Sequence, residues 1–470
     1  MAVARVSEVP GDHAAQEPGD PQPRRHLVFV VVSIALFMAS VDQTIVATAL
    51  GALQHDLHST VNWSSWTITI YALGQIIAMP VAGTISDQFG RRKVFIGAIV
   101  LFTTASLCCG LADDIRVLVA LRAVQALGGG AFMPSATGIV ADQFGRDRDR
   151  AIGLFTSVFP IGGIVGPVLG GIFVTYWSWR GIFLVNVPVG IALFCLALAF
   201  VPGGSKRAQR HLDVRGIALL GTGLLAVMLA VSYLGSASAR PLSLLFIGPL
   251  ALGVAALALF GRHAARAPDP FVPLRLLAGR GFAVMNVINF VIGSALLGFG
   301  ALVPLYAEER YRLPTLAAGT LLTARAIGMI AVAAAAAFAL RRTGYRLPMI
   351  VGLGIASVGL FLMAVSPPAL GPYGWLTLAA GLTGIGVGFA LPASNNATLQ
   401  RAPENTAAVA GLRGMFRQSG GITGISVIAA VVARSAAPGL ALGHAFVVLA
   451  IVLACLVPFV VLVPDYHGQW

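Results

Sequence analysis

Charged residues are scarce in this chain. Only 10% of its 470 residues are Asp, Glu, Lys or Arg, whereas a soluble domain carries about 25%. Such low charge excludes an ordinary soluble globular protein. The hydrophobic content of 57% indicates an integral membrane protein instead.

Cysteine is equally scarce, and the four cysteines lie in apolar runs without metal-ligand or disulfide spacing. The glycine-rich stretch Gly384–Gly388 is preceded by no strand and followed by no Walker lysine, so ATP is not expected as the energy source. The apolar runs contain no paired acids, metal-ligand cluster or nucleophile–base pair. An enzyme, a metal and an organic cofactor are therefore not expected.

Long apolar runs are what the chain has in abundance. About fourteen runs between His26 and Val463 are long enough to cross a bilayer. They lack the short alternation of barrel strands, so an all-α integral membrane protein with about fourteen transmembrane helices is predicted. Basic residues collect in alternate loops, as in Arg91–Lys93, which places both termini in the cytoplasm. The net charge of +13 thus reflects topology and not a nucleic-acid partner.

Two basic connectors divide these runs into groups. Two six-helix halves with a substrate site between them is a common transporter plan. The predicted organisation is a disordered cytoplasmic tail (1–25), an N-terminal six-helix half (26–201), a cytoplasmic linker (202–216), two extra transmembrane helices (217–260), a second cytoplasmic linker (261–281), a C-terminal six-helix half (282–463) and a short cytoplasmic tail (464–470).

A weak internal repeat supports this division. In the turns after the second and tenth runs, Gly90 recurs as Gly344 and Arg92 recurs as Arg346, while Arg341 replaces the acid of the first turn. Chance is the rival explanation, because short basic turns also follow from the positive-inside rule alone.

Asp42 is an acid inside the first apolar run, His26–Leu50. A carboxylate at that depth is costly, so it usually faces a cavity, a partner or a proton path. A titrating acid in a membrane suggests proton coupling, and the alternative is an idle, hydrogen-bonded acid. Arg122 in the fourth run must likewise find an acid, a backbone carbonyl or water.

Three short patterns accompany these charges. The turn Gly83–Lys93 holds an acid, Asp87, between glycines that permit tight turning, and a helix N-terminus favours a nearby acid. The fourth run contains Arg122, Gln125 and Gly128. The fifth run contains small residues that let helices approach and a proline that kinks them, although plain helix packing would also explain them. These are Gly162, Gly166, Pro167, Gly170 and Gly171.

Together these segments resemble the major facilitator superfamily, specifically its fourteen-span drug:proton antiporter branch. The resemblance covers the chain after residue 25. Gly83–Lys93 is similar to motif A, Arg122–Gly128 to motif B, and Gly162–Gly171 to the antiporter motif C. Asp42–Leu50 and Trp179–Pro188 are similar to signatures of the first and sixth spans. Three positions depart from these patterns: Gly51, Gln88 and Ala126.

The resemblance implies a major facilitator fold whose halves rock around a central cavity. It implies that Asp87 contacts the start of the penultimate helix and that Arg91 pairs with Asp142. This gating latch, to which Gly83, Gly90 and Arg92 also belong, would hold the cytoplasmic side closed in the outward-facing state. It also implies that Asp42 pairs with Arg122 and exchanges protons.

The sequence therefore predicts a proton-coupled exporter of hydrophobic or amphipathic small molecules such as drugs or antibiotics, acting as a monomer in a bacterial plasma membrane. The alternative is a lipid flippase or a dedicated exporter of an endogenous metabolite. Because the C-terminal half has no acid in mid-span, neutral, zwitterionic or monocationic compounds are favoured. Candidate cavity residues, whose aromatic members are more usually packing residues, are Trp66, Tyr71, Phe159, Phe290, Arg413 and Arg417.

Overall fold

A computed structural model describes residues 25–59, 61–203, 213–234, 239–240, 242–268, 270, 280–365, 371–400, 406–463 and 465. These residues form helices joined by short turns. The predicted N-terminal tail up to residue 24, the centres of both predicted linkers and most of the C-terminal tail lie outside the described residues.

The helices follow one another closely along the chain. The first nine are α1 (Arg25–Ile45), α2 (Leu50–Asp56), α3 (Val61–Phe89), α4 (Arg91–Gly110), α5 (Ile115–Phe144), α6 (Arg148–Thr156), α7 (Val158–Tyr176), α8 (Gly181–Leu184) and α9 (Asn186–Phe200). The next are α10 (Val214–Leu234), α11 (Leu244–Arg266), α12 (Arg280–Tyr311), α13 (Thr315–Thr343), α14 (Arg346–Ala364), α15 (Gly371–Leu399), α16 (Thr406–Val432) and α17 (Pro438–Leu456).

Twelve helical segments of the described residues are long and apolar enough to cross a membrane. Shorter apolar segments, Phe282–Ala295 and Ala317–Ala333, lie within α12 and α13. Helices suit a bilayer because each satisfies its own backbone hydrogen bonds there. The prediction of an all-α, multi-pass membrane protein is confirmed, whereas the fourteen-helix count stays a prediction.

Large hydrophobic clusters fill the interior. The largest is built mainly from helices before residue 265, and in it Phe132 packs against Phe95 and Phe102 at ring-centroid distances of 6.1 and 5.4 Å. A second runs from Met285 to Val463. Tilted and edge-to-face rings of this kind add stability beyond the apolar area they bury. The largest cluster also includes residues of α10, α11 and α16, so the hairpin and part of the C-terminal helices share its core.

The helices α10 and α11 form a hairpin of their own. Gly223 and Gly253 let them approach closely, since a Cβ at Gly253 would lie 2.8 Å from the Val227 nitrogen. Through α10 the hairpin contacts both α3 and α16. On α11, Leu244 is 84% exposed, as expected of a side chain that faces lipid.

The turns before α4 and α14 have the same unusual backbone. Gly90 and Gly344 take φ values of +105° and +68°, a region that L-residues with a Cβ avoid. The two glycines that the internal repeat aligned therefore play one structural role, which is to turn the chain sharply into the next helix.

The arginines aligned by the repeat also make matching contacts. Nη2 of Arg92 donates to the Leu198 carbonyl at 2.6 Å, near the end of α9. Nε of Arg346 donates to the Val463 carbonyl at 2.7 Å, after α17. Each cation meets carbonyls near the end of the last helix of its half, where α9 in particular presents a negative dipole end. These matching contacts support the internal repeat, while the division of the chain into two halves stays a prediction.

Candidate functional site

Asp42 lies in the last turn of α1, fully buried. Its Oδ2 accepts a hydrogen bond from Nη1 of Arg122 at 2.6 Å. Its Oδ1 accepts from Nε2 of Gln125 and from Nδ2 of Asn186, each at 2.9 Å. The structure therefore brings the predicted pair together and joins α1 to α5 and α9 through one carboxylate.

Arg122 has further partners around the same acid. Its Nη1 also donates to Oε1 of Gln125 at 2.8 Å, and its Nε donates to the Thr67 carbonyl at 3.3 Å. Its guanidinium carbon lies 4.0 Å from the centre of the Tyr71 ring, close enough for a cation–π interaction. Nη2 has no hydrogen-bond partner among the described residues.

The Asp42 carboxylate and the Arg122 guanidinium form a fully buried ion pair. In a buried ion pair, Coulomb attraction and hydrogen bonds offset the cost of desolvating both charges. Loss of either partner therefore leaves an isolated buried charge, which is strongly destabilising. The contacts of Asp42 therefore fix the position of α1 relative to α5 and α9.

Asn186 is a site residue to which the sequence assigned no role. Its side-chain nitrogen also donates to Oγ of Ser106 at 3.1 Å, and that hydroxyl donates to the Phe183 carbonyl at 2.9 Å. Asn186 therefore links the acid to α4 and α8. The sequence signal for it was the Trp179–Pro188 signature, which contains this asparagine.

Asp87 contacts the penultimate helix. Its Oδ2 accepts from the backbone nitrogen of Ala408 at 2.8 Å, in the first turn of α16, where N–H groups lack intrahelical partners and the dipole favours an anion. Nη2 of Arg91 lies 3.1 Å from Oδ1 of Asp87, and Nη1 of Arg91 lies 2.5 Å from Oδ1 of Asp142. Arg91 also donates to the Gly138 carbonyl. The contacts expected from the resemblance are present in the structure.

The glycines of the fifth run pack α7 against α1. A Cβ at Gly162 would lie 2.6 Å from the Ser40 Cβ, and one at Gly166 would lie 3.0 Å from the Val41 carbonyl. Gly170 continues the same face. Gly171 does not, because a Cβ there would meet open space. These glycines bring α7 against the part of α1 that carries Asp42.

The other motif residues have packing roles of the same kind. Pro167 lies inside α7. Gly83 lies against the Ala407 backbone at the start of α16, and a Cβ at Gly128 would lie 2.7 Å from the Phe102 nitrogen. Close approach of α3 to α16 and of α4 to α5 therefore requires small residues at these positions.

The candidate cavity residues do not all lie together. Tyr71 is buried against Arg122, within the Asp42 site. Phe159 lies under Arg417, whose guanidinium carbon is 5.9 Å from the ring centre. The Phe290 backbone packs where α12 meets α16, and Trp66 packs against the largest hydrophobic cluster. Arg413 is fully buried.

A second contact between the halves was not predicted. Oδ2 of Asp149, in the first turn of α6, accepts from the Tyr345 hydroxyl at 2.6 Å and from Nε2 of Gln400 at 3.2 Å. The Asp149 carbonyl accepts from Nδ2 of Asn396 at 2.9 Å. Burial, and then the charge of Asp149, raise the pKa of the Tyr345 hydroxyl, which keeps it a donor.

The architecture and these sites define a multi-pass membrane protein in which Asp87 joins α3 to the start of α16 and Asp149 joins α6 to the turn before α14. Residues 32–425 match the family model described as the Major Facilitator Superfamily. The chain belongs to the major facilitator superfamily, and the family predicted from its motifs is confirmed.

Individual relatives agree with this assignment. An uncharacterized MFS-type transporter of Mycobacterium tuberculosis is 33% identical over 365 residues, which are 76% of this chain and 53% of that protein. The chain thus spans about half the length of that relative. The multidrug transporter protein MdtP of Bacillus subtilis is 28% identical over 421 residues, 88% of this chain and 76% of that protein.

A solved structure has the same fold. The human organic anion transporter MFSD10 superposes with a TM-score of 0.68 at 16% identity, over 93% of this chain and all of that chain (100%). At this level of identity the likeness establishes the fold alone.

Proposed function

We propose that this protein is a proton-coupled exporter of hydrophobic or amphipathic small molecules that works by alternating access. The observation that carries the proposal is the buried carboxylate of Asp42, which is held by Arg122 inside a membrane-spanning helix. An acid in such a place is usually functional. The relationship to a protein named as a multidrug transporter supports the substrate class.

Coupling requires that the protonation of Asp42 differ between the two conformations. In the present arrangement Arg122, Gln125 and Asn186 all donate hydrogen bonds to its oxygens. Protonation would remove the charge that these donors share. It would thereby weaken the connection of α5 and α9 to α1 and favour the opposite conformation.

Contacts between the halves would set which side of the membrane is open. The Asp87–Ala408 bond and the Asp149–Tyr345 bond both join helix ends near the turns of Gly90 and Gly344. These turns belong to the basic loops, which are assigned to the cytoplasm by the positive-inside rule. The conformation described here is therefore closed towards the cytoplasm, and substrate would leave on the opposite side.

The topology is part of the same proposal. If α12 and α13 also cross the membrane, the twelve spans become about fourteen, with both termini in the cytoplasm of a multi-pass plasma-membrane protein. Accessibility of single introduced cysteines in successive loops to a membrane-impermeant reagent tests this. Labelling of the Gly90 turn from outside intact cells would contradict the orientation.

The decisive experiment compares purified wild-type protein and Asp42→Asn in sealed liposomes under an imposed pH gradient. A drug-susceptibility panel of cells with and without the gene first identifies an exported compound. That compound, radiolabelled, is then the substrate in the liposomes. We expect wild-type export to follow the gradient and the variant to lose that response. Asp113→Asn is the matched control, because Asp113 pairs with Arg180 at the surface and is 90% exposed. Gradient-driven export at the wild-type rate by Asp42→Asn would disprove the assignment of the coupling acid.

A further inference from the structure

Arg413 differs from the other buried charged residues. Five charged side chains are buried in the described part of the chain, and Asp42, Asp87, Arg122 and Asp149 all have the partners given above. Arg413 is 0% exposed, and its three side-chain nitrogens have no hydrogen-bond partner among the described residues. Since a guanidinium stays charged in proteins, it requires a compensating anion or strong acceptors.

The surroundings of Arg413 place it between the halves. On either side of it in α16, Gly411 packs against the Met79 backbone and Gly414 against the Met79 sulfur. Met79 belongs to α3, in the other half. Arg413 therefore lies in the helix of the C-terminal half that packs against α3.

Arg417 adds a second guanidinium one helical turn along. Residues four apart lie on the same helix face. Nη2 of Arg417 lies 3.3 Å from the Met133 sulfur, and its guanidinium carbon lies above the Phe159 ring. A thioether and an aromatic ring supply weak acceptors but no negative charge. The two arginines thus create a positive region lined by apolar side chains from the N-terminal half.

Other buried polar atoms lie on the helices that contact α16. Oγ of Ser135 in α5, Oδ1 of Asn286 in α12, both side-chain polar atoms of Asn395 in α15 and Oγ of Ser419 in α16 itself have no partner among the described residues. Buried polar atoms of native proteins are normally paired, so each such group calls for an explanation.

We propose that Arg413 and Arg417 bind the acidic group of the exported compound, a carboxylate, sulfonate or phosphate carried on an apolar body. The planar guanidinium matches such a group with two parallel hydrogen bonds. Met79, Met133 and Phe159 provide contacts for the apolar body. The proposal rests on the proposed export function and narrows its substrates to anionic and zwitterionic amphipaths.

Binding of two matched fluorescent probes tests this without any proton gradient. The full-length protein in dodecyl maltoside micelles is titrated with 1-pyrenebutyrate and with its uncharged amide, which has the same apolar body. We expect the acid to bind at least about tenfold more tightly, as one charge-assisted hydrogen bond provides. Arg413→Gln should remove this preference and leave the affinity for the amide unchanged, and Arg417→Gln should reduce it.

Two further variants control for folding and for general charge. Arg434→Gln alters an exposed arginine just beyond α16 and should keep the preference. Arg413→Lys retains the charge without the planar fork and should retain part of it. Gel filtration verifies that each variant elutes as the wild type does.

Equal affinity of the wild-type protein for both probes, or a preference that survives in Arg413→Gln, would overturn the proposal. Displacement of pyrenebutyrate by phosphatidylglycerol but not by phosphatidylcholine would assign the site to a lipid headgroup and overturn the substrate assignment. Asp42→Asn should keep the preference for the acid. Failure of proton coupling and failure of the anion site are therefore distinguishable.

Discussion

Arg122 and Arg413 are both fully buried arginines, one in each half of the molecule, and their surroundings are opposite. Arg122 has a carboxylate, an amide, a backbone carbonyl and an aromatic ring around it. Arg413 has no hydrogen-bond partner among the described residues. The charge of Arg122 is thus compensated by neighbouring helices, which fits the proposed coupling role of Asp42. The charge of Arg413 has no such compensation among the described residues, which fits the proposed role in binding an anion.

Removing Arg122 should have the largest effect on stability. Arg122→Ala leaves Asp42 buried without its counter-charge, which costs about 3–5 kcal/mol when one partner of a buried pair is lost. We expect a much lower thermal unfolding temperature in detergent and no transport. The double variant Asp42→Asn, Arg122→Gln should recover most of the stability. A double variant as unstable as Arg122→Ala would show that the pair is not the cause.

Removing Arg413 should act in the opposite direction. Arg413→Leu replaces an unpaired buried charge by a shorter apolar side chain, and replacing buried charged groups by apolar ones is often stabilising by about 1–4 kcal/mol. Thermal unfolding in detergent should therefore occur at a higher temperature than in the wild type, with substrate absent. An unfolding temperature of Arg413→Leu below that of the wild type would show that the Arg413 charge is compensated in the folded protein, as that of Arg122 is.

A larger side chain in the contact of α7 with α1 should lower the stability of the protein less than the loss of Arg122 does. Gly162→Val places two methyl groups against Ser40, and overpacking of this kind costs about 1–3 kcal/mol. Export should fall because the part of α1 that carries Asp42 is displaced. Gly171→Val is the matched control, since its Cβ meets open space. Equal losses in both variants would indicate a general effect on the helix.

The fourth prediction concerns the hydrogen bond between Tyr345 and Asp149. Tyr345→Phe removes the hydroxyl that donates to Asp149, a bond to a charged group worth about 1.5–3 kcal/mol. The cytoplasmic side should open more often, which increases labelling of a cysteine introduced at Met79. Tyr176→Phe, at a position 77% exposed, should leave the labelling unchanged. Unchanged labelling in Tyr345→Phe would show that the Tyr345–Asp149 hydrogen bond does not help to close the cytoplasmic side.

Composition and motif spacing predicted much of this molecule. The scarcity of charge predicted a helical membrane protein, and Asp42 was evident because an acid stands out in an apolar run. The turn around Asp87 was evident because glycines and charges recur at fixed spacing there. Each of these signals lies within one short stretch of sequence.

Contacts between distant segments could not be predicted in the same way. Tyr345 and Asp149 are 196 residues apart, and neither residue is unusual in its own segment. Asn186 was included in a motif, but its bond to Asp42 depends on how α9 packs against α1. The isolation of Arg413 is likewise a property of its neighbours, which only the folded chain brings together.

The carbonyl contacts of Arg92 and Arg346 have a mechanical consequence. Each ties the start of its half's third long helix to the end of the last one, so neither half can splay without breaking its own closure. Under the proposed alternating-access mechanism, movement would then be directed to the seam between the two groups of helices. Protonation of Asp42 would tilt these groups relative to each other and would not loosen either one.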